Sequence, residues 1–248
     1  MSIEKIQKER GISEGDSVLD KAQFAIYGEI YERDYDFYSK ALDLDEDGLR
    51  GKRILDIGAG SAIFAKEAQK KNIDVTAIDP MYGLEDGIKI LKTAGKKKYP
   101  EPAKSVEEQR ERKKWLPKAA CAIGKDMPFR ENHFDTEICM LSSFFYSEND
   151  QDLSDNLKEA MRVLKTGGKL YIYPFLPLAV NKEVSVMNQR DINGSADALT
   201  QEFFRTLEYM RRDGAINYFI NYPKNPPNEK GFSEAGYILI EKLSIKKV

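Results

Sequence analysis

The sequence predicts an α/β domain with a doubly wound sheet, and three consecutive features carry that prediction. The apolar run Ile54–Ile57 is long enough for a buried strand, and the glycine turn Gly58–Ser61 follows it directly. From Ser61 to about Lys71, apolar and charged residues recur with the period of a helix. A strand, a glycine turn and a helix in this order form the nucleotide-binding unit of doubly wound folds.

A second predicted strand, Asp74–Asp79, ends in a carboxylate 21 positions after Gly58. An acidic side chain about 20 residues after the first glycine can accept hydrogen bonds from the hydroxyl groups of a ribose. The dinucleotide pattern G-x-G-x-x-G/A needs a small residue where this chain has Ile63, whose branched side chain would crowd the helix against the strand. The residues therefore disfavour a nicotinamide dinucleotide as the ligand.

The motif from Asp56 to Ala62, D-I-G-A-G-S-A, resembles the first motif of the class I S-adenosylmethionine (SAM)-dependent methyltransferases, acidic-x-G-x-G-x-G. Two more segments match that family in the expected order. Residues 127–135 are similar to its L-P-F-x-x-x-x-F-D segment before the fourth strand, and residues 162–170 to its R-V-L-K-P-G-G segment before the fifth. The chain is identified as a member of this family over roughly residues 51–175, and it resembles the small-molecule group called methyltransferase type 11.

The resemblance implies a Rossmann-like fold with a mostly parallel, seven-stranded sheet, helices on both faces and an antiparallel last strand. We expect this domain over residues 51–248, with a basic helical insertion at about 95–118 and an N-terminal helical segment or lid over residues 1–50. The resemblance also implies a methyltransferase that takes SAM as its cofactor, releases S-adenosylhomocysteine (SAH), and transfers the methyl group by in-line displacement to a small-molecule acceptor.

The resemblance places the cofactor at the carboxyl ends of the strands, where ligands of doubly wound folds bind. Asp79 is the expected main anchor and accepts hydrogen bonds from both ribose hydroxyls, while Met81 flanks the adenine. Ile123 stands where many family members carry an aspartate that contacts the adenine, so Asp126 and the backbone of Gly124 are the substitutes. The expected cofactor-binding residues are Asp56, Gly58, Ala59, Gly60, Asp79, Pro80, Met81, Gly124, Asp126 and Ser142.

No catalytic base is assigned, because the methyl group of SAM is already activated and orientation supplies much of the rate. Tyr31 and Tyr146 are the candidate side chains to face the acceptor. Tyr31 belongs to a helical pattern over Lys21–Leu42, which fits either an amphipathic helix packed on the domain or a lid over the cofactor. The single histidine, His133, lies in a predicted turn before the fourth strand.

The remaining elements follow from hydrophobic period, caps and breakers. Helices are predicted at about Leu84–Ala94, Val106–Leu116, Leu153–Leu164 and Asp197–Arg212, the third of them ended by Gly167-Gly168. Strands are predicted at Ala119–Ile123, Asp135–Leu141, Lys169–Pro174, Ala215–Tyr222 and Tyr237–Leu243. Cys121 and Cys139 both fall in predicted strands, where we expect them to be small buried side chains.

Composition narrows the functions of the chain. The 248 residues carry a net charge of −2, which disfavours nucleic acid as a partner of the whole surface. No apolar run of membrane length and no signal peptide are found, so we expect a soluble cytoplasmic protein without a membrane partner. Two cysteines and one histidine make no ordinary zinc site, and no metal is expected. The sequence does not define the oligomeric state.

One segment is strongly basic. Residues 89–118 contain eleven Lys or Arg and four Glu, a net charge of +7. The segment is either a solvated face or an insertion that recognises an anionic acceptor. Two alternatives to a small-molecule methyltransferase therefore stay open: an RNA or protein methyltransferase that holds its partner with this segment, and a SAM-binding protein of low activity, which Ala62 and Ile123 suggest.

Overall fold

A single mixed sheet of seven strands organises the chain. In this computed structural model, residues 33–83, 118–142, 144, 149–175, 195–226 and 235–244 are described. The strands are β1 (Arg53–Ile57), β2 (Asp74–Ile78), β3 (Lys118–Ala120), β4 (Phe134–Met140), β5 (Leu164–Phe175), β6 (Ile216–Asn221) and β7 (Gly236–Lys242). Their order is β3-β2-β1-β4-β5-β7-β6. Only β7 runs against its neighbours, so the predicted doubly wound sheet with an antiparallel last strand is confirmed.

Five helices of the described residues cover the two faces of the sheet. They are α1 (Tyr35–Leu42), α2 (Glu46–Leu49), α3 (Ile63–Lys70), α4 (Asp150–Val163) and α5 (Ser195–Arg212), with a short 3-10 helix at Pro80–Gly83. Side chains of α1 and α3 share one hydrophobic core with Ile54 of β1. Those of α4 and α5 share a second core with Leu55. None of the helices described here is long and apolar enough to cross a membrane.

The two cores lie on opposite faces because successive side chains of a strand point to opposite sides. On the first face, Tyr38 of α1 stacks on Phe64 of α3 with ring centroids 4.1 Å apart and planes inclined by 4°. The aromatic pair fixes α1 on the helix that follows the glycine turn. The fold thus brings a segment from before β1 to the strand end where the candidate site lies.

The N-terminal helix differs from the prediction of one helix over Lys21–Leu42. Asp34 has extended backbone, and its side chain accepts a hydrogen bond of 2.8 Å from the amide of Phe37, so it caps a helix that starts at Tyr35. The prediction of a helix that continues through residues 33–34 is therefore wrong. The earlier part of the predicted helix, which includes Tyr31, lies outside the described residues.

The helix before the fifth strand ends at Val163, within one residue of the predicted Leu164, but the prediction that Gly167-Gly168 ends it is wrong. The amide of Leu164 donates to Ala160 O as the helix C-cap, but Leu164 itself is extended and already pairs with Phe134 of β4. Gly167 and Gly168 consequently lie inside β5 instead of ending a helix. The helices predicted at residues 84–94 and 106–116, and the insertion up to residue 117, lie outside the described part of the chain.

Candidate functional site

The carboxyl ends of β1, β2 and β4 meet at one edge of the sheet. Ile57, the last residue of β1, pairs with Ile78 of β2 on one side and with Cys139 of β4 on the other. Because the three strands are parallel, the segments that follow them leave the sheet side by side. The glycine turn, Asp79 and Ser142 are therefore brought together, as the sequence predicts.

The glycine turn has a backbone that other residues would strain. Gly58 has φ 69° and Gly60 has φ 55°, both in the left-handed region. A Cβ atom on Gly58 would lie 2.3 Å from Cβ of Ser142, a separation that atoms cannot adopt. The amides of Gly58 and Ala59 donate to Ile78 O at 2.8 and 3.0 Å, which fastens the turn to the end of β2.

Asp79 links the glycine turn to the end of β3. Its carboxylate Oδ2 accepts a hydrogen bond of 3.0 Å from the amide of Gly60, and its own amide donates to Ala120 O at 3.3 Å. The residue is 7% exposed. Asp79 thus has the position predicted for it, with its carboxylate against the glycine turn; its contact with a ribose stays a prediction.

Asp56 lies behind the turn and is fully buried. The Tyr38 hydroxyl donates to both of its carboxylate oxygens, at 3.1 and 3.3 Å. Burial raises the pKa of Asp56 to about 7, against the opposing effects of this hydrogen bond and of the nearby Arg33 guanidinium, while the charge of Asp79 raises it slightly further. The described hydrogen bonds of the Asp56 side chain are thus with Tyr38, and any contact of Asp56 with a cofactor stays a prediction.

The helix after the turn begins without a side-chain cap. Ala62 is its N-cap residue, has φ 56° in the left-handed region, and is fully buried. An alanine side chain makes no hydrogen bond to the first amides of α3, so a bound molecule or water can pair with them. Ala62 therefore combines local strain with a helix start that its side chain does not cap, at the place where the methyltransferase motif usually has glycine.

Ser142 supports the turn from the β4 side. Its hydroxyl donates to Ile57 O and lies 2.9 Å from the thiol sulfur of Cys139. The residue is buried, and its Cβ occupies the space that a side chain at position 58 would need. The described contacts of Ser142 are thus with the protein, and any contact with a cofactor stays a prediction.

The segments after β2 and β3 adjoin each other on the far side of Asp79. The thiol of Cys121 lies 3.6 Å from Pro80 O, and Cys121 is exposed, so its expected burial is wrong. The reason is that β3 ends at Ala120, before Cys121 and three residues before the predicted end at Ile123. Gly124 is buried and Asp126 is exposed on a turn in which the Asp126 amide donates to Ile123 O at 3.1 Å. The Met81 side chain lies outside the description.

The acceptor side of the site is described only in part. Tyr146 and Tyr31, the two candidates to face the acceptor, lie outside the described residues. Phe144, which follows β4, packs against Phe203 of α5 with ring centroids 5.8 Å apart and therefore belongs to the second core. His133 precedes β4 at the opposite edge of the sheet, where its amide donates to Val163 O at 2.7 Å.

Three side chains near the carboxyl ends of the strands were not predicted as site residues. Tyr38 was recognised only as part of a helical period, and no local pattern links it to Asp56. Arg33 donates to Met140 O at 2.9 Å at the end of β4, and a single arginine before a helix carries no signal of that contact. Tyr82 has a buried hydroxyl without a hydrogen-bond partner among the described residues. Burial raises the pKa of Tyr82 well above its usual value, and the charge of Asp79 raises it further.

Comparisons with known proteins agree with this arrangement. A family model described as a methyltransferase domain matches residues 55–172. No curated protein matches the sequence significantly.

Solved structures resemble the chain over most of its length. A proposed SAM-dependent methyltransferase from Methanococcus maripaludis is 17% identical with a TM-score of 0.52, and the match covers 96% of this chain and 100% of that one. The plantazolicin methyltransferase BpumL in complex with SAH is 14% identical with a TM-score of 0.53, over 98% of both chains. The 1,6-didemethyltoxoflavin-N1-methyltransferase of Burkholderia thailandensis, with its substrate and SAH bound, is 13% identical with a TM-score of 0.50, over 92% of this chain and 88% of that one. At these identities, the likeness establishes the fold.

Proposed function

We propose that this protein, whose residues 55–172 match a methyltransferase-domain model, is a class I SAM-dependent methyltransferase that binds SAM at the glycine turn and methylates a small-molecule acceptor. The observation that carries the proposal is the 3.0 Å hydrogen bond from the Gly60 amide to the Asp79 carboxylate. It sets an acidic side chain beside a glycine turn, which is the arrangement that ribose hydroxyls require.

The residues present fit SAM. Asp79 would accept from the ribose hydroxyls, and the Gly58–Gly60 backbone would lie against the ligand, because glycines leave no side chain in its way. Pro80, Met81, Gly124 and Asp126 would border the adenine, since the segments after β2 and β3 adjoin beside Asp79. Ser142 would act through the turn that it supports, and Asp56 would act from its buried position in β1.

A nicotinamide dinucleotide fits less well. Ile63 takes the position where the dinucleotide pattern requires glycine or alanine, and its side chain is buried at the start of α3. Close packing of helix on strand at this point is what lets a dinucleotide approach the helix start. The buried Ile63 side chain therefore favours SAM over NAD as the cofactor.

Bound SAM would supply a methyl group on a positively charged sulfur. An acceptor atom would attack the methyl carbon in line and displace that sulfur. The protein then has to orient the acceptor, exclude water and, for a protonated acceptor, remove a proton. Orientation contributes on the order of 7–11 kcal/mol in well-positioned reactions. The glycine turn, held by Ile78 O, the Asp79 carboxylate and Ser142, offers a rigid support for that purpose.

The acceptor is proposed to be a small molecule, with an anionic group as the feature that the basic segment would recognise. Two of the structural neighbours are named for the molecules that they methylate, plantazolicin and 1,6-didemethyltoxoflavin. The net charge of −2 argues against a nucleic acid held over a wide surface. Within residues 89–118, Lys118 is paired with Asp74 at 2.5 Å, so at least one of the basic side chains has a partner on the sheet.

The test measures transfer of labelled methyl from SAM to three acceptor classes: small anionic and neutral metabolite pools, RNA, and protein extract. Methylation should appear in the small-molecule pools. Labelling of RNA or protein, with a rate that falls steeply as salt rises, would instead support the alternative partner. SAM binding without turnover on any acceptor class would support a binding protein of low activity.

The basic segment is tested by reversing Lys96, Lys97 and Lys98 to Glu. If the segment recognises an anionic acceptor, the KM for that acceptor should rise while the SAM affinity stays unchanged. Reversal of the exposed Lys158 on α4 serves as a control for a change of surface charge remote from the segment. Unchanged kinetics of the triple variant across ionic strength would make the segment a solvated face.

A further inference from the structure

In the part of the chain that the structure describes, no strand pairs with the outer edge of β6. The strand lies at one end of the sheet and, among the described residues, pairs only with β7. Its sequence, I-N-Y-F-I-N over residues 216–221, has no charge and no proline. Phe219 is 47% exposed and Ile220 is 42% exposed. Proteins usually protect an edge strand with charges, prolines or bulges, because its free amides and carbonyls invite another strand.

The strand is also symmetric about Phe219. In an antiparallel pair of identical strands centred there, Phe219 opposes Phe219, Tyr218 opposes Ile220, and Asn217 opposes Asn221. Each opposed pair lies on one face of the joined sheet, since the two positions differ by an even number. The pairs are aromatic with aromatic, aromatic with aliphatic and amide with amide, which are favourable cross-strand combinations.

We infer that β6 binds β6 of a second copy of this chain, so that two sheets join into one across a two-fold axis at Phe219. A two-fold axis perpendicular to the sheet is the operation that makes the two strands antiparallel and keeps their faces matched. The absence of charge removes the like-charge repulsion that a self-pairing strand would otherwise meet. An identical strand presents the matching order of residues by symmetry, whereas a strand of another protein does not have to.

The helix α5 adds to the proposed interface. Phe204 of α5 lies 6.3 Å from the Tyr218 ring, so α5 packs over β6 on the Tyr218 face. The two-fold axis brings the second α5 to the same face of the joined sheet. Tyr209 of α5 is 68% exposed and Tyr222 beyond β6 is 57% exposed. In the proposed dimer these exposed side chains are available to extend the contact beyond the strand pair, toward the area of about 1,200–2,000 Å² that a stable interface buries.

Light scattering during gel filtration tests the assembly of the full chain. The wild-type protein should elute with twice the 28.3 kDa mass of one chain. Phe219→Lys places two positive charges opposite each other at the axis and should raise the dimer dissociation constant at least tenfold. Gln151→Lys, a change at an exposed position of α4, should leave the dimer intact.

Cross-linking tests the register. With Cys121 replaced by Ser, Phe219→Cys should form an intermolecular disulfide on mild oxidation, because opposed residues of antiparallel strands have Cα atoms about 4.5–5.5 Å apart. Asn217→Cys should not, because its two copies are separated by about four residues along the strands, roughly 13 Å. A monomeric wild-type protein, a dimer that Phe219→Lys leaves unchanged, or cross-linking at 217 in preference to 219 would each overturn the inference.

Discussion

Removal of the Asp79 carboxylate should affect both the empty protein and its affinity for SAM. In the free protein, the carboxylate accepts a hydrogen bond of 3.0 Å from the Gly60 amide in a position that is 7% exposed. A hydrogen bond to a charged group contributes about 1.5–3 kcal/mol. At about 2–4 °C per kcal/mol for a chain of this size, Asp79→Ala should lower the melting temperature by roughly 3–12 °C.

The same substitution removes the proposed acceptor of the ribose hydroxyls. Loss of one such bond should weaken SAM binding by about 10- to 150-fold, and loss of two should weaken it more. Asp79→Asn keeps an oxygen that can accept from the Gly60 amide but loses the charge. This variant should therefore melt closer to the wild type, with an affinity between those of the wild type and Asp79→Ala.

Calorimetry with SAM and thermal unfolding without ligand measure the two effects separately. Asp74→Ala is the matched control, because Asp74 lies at the other end of β2 and forms an exposed ion pair with Lys118, which is worth little. Wild-type SAM affinity in Asp79→Ala would refute the assignment of the anchor. Lost affinity in a protein that no longer unfolds cooperatively, together with wild-type affinity in Asp79→Asn, would reduce Asp79 to a structural residue of the turn.

Three further changes follow from buried groups near the strands. Ala62→Gly should change the stability measured by thermal unfolding by less than about 1 kcal/mol, because relief of about 1–2 kcal/mol of left-handed strain is offset by the freedom of glycine in the unfolded chain and by the loss of a buried methyl group, about 0.8 kcal/mol. Its SAM affinity should change less than about tenfold by calorimetry, and a larger gain would favour a protein poorly adapted to SAM. Tyr38→Phe removes the donor to the buried Asp56 and should cost about 1–3 kcal/mol in urea unfolding, whereas unchanged stability would deny the pair a structural role. Glu137, buried in β4 without a hydrogen-bond partner in the described part of the chain, has a pKa that burial raises well above its usual value. A raised carboxyl pKa makes stability fall as pH rises above the unfolded value near 4.5, so Glu137→Gln should match the wild type near pH 4 and exceed its stability increasingly toward pH 8; a constant difference would contradict this.

The first half of the sheet could be predicted from sequence because its signals are local and agree with one another. The apolar run, the glycines and the acidic residue at the end of the second strand fix β1 and β2 almost to the residue. The helix between them starts later than predicted, at Ile63, because Ala62 adopts a left-handed conformation that its side chain does not favour. An alanine in the sequence does not indicate a left-handed conformation.

The errors in helix boundaries come from competition between local signals and pairing across the sheet. The pair Gly167-Gly168 is a usual helix stop, yet Leu164 already pairs with Phe134, so the strand begins before the glycines. At the N-terminus, the helical pattern over Lys21–Leu42 indicated one long helix, but the Asp34 side chain caps a new helix instead. Capping and pairing depend on neighbours that a periodic pattern does not contain.

In the candidate site too, the positions that follow from local sequence order were predictable, and the contacts that depend on tertiary packing were not. The places of Gly58 and Asp79 follow from the order of strand, turn and strand, so their proximity was predictable. The contact of Tyr38 with Asp56 joins residues 18 positions apart through tertiary packing on Phe64, and no spacing rule indicates it. Ser142 was placed correctly after β4, but its bond to Ile57 O depends on the register between β4 and β1.

The central claim is that the glycine turn of this chain is a SAM site, and titration calorimetry of the wild-type protein tests it most directly. The same sample is titrated separately with SAM, SAH and NAD. The account predicts saturable binding of SAM and SAH with one molecule per chain, and no binding of NAD. Binding of NAD without binding of SAM would contradict it.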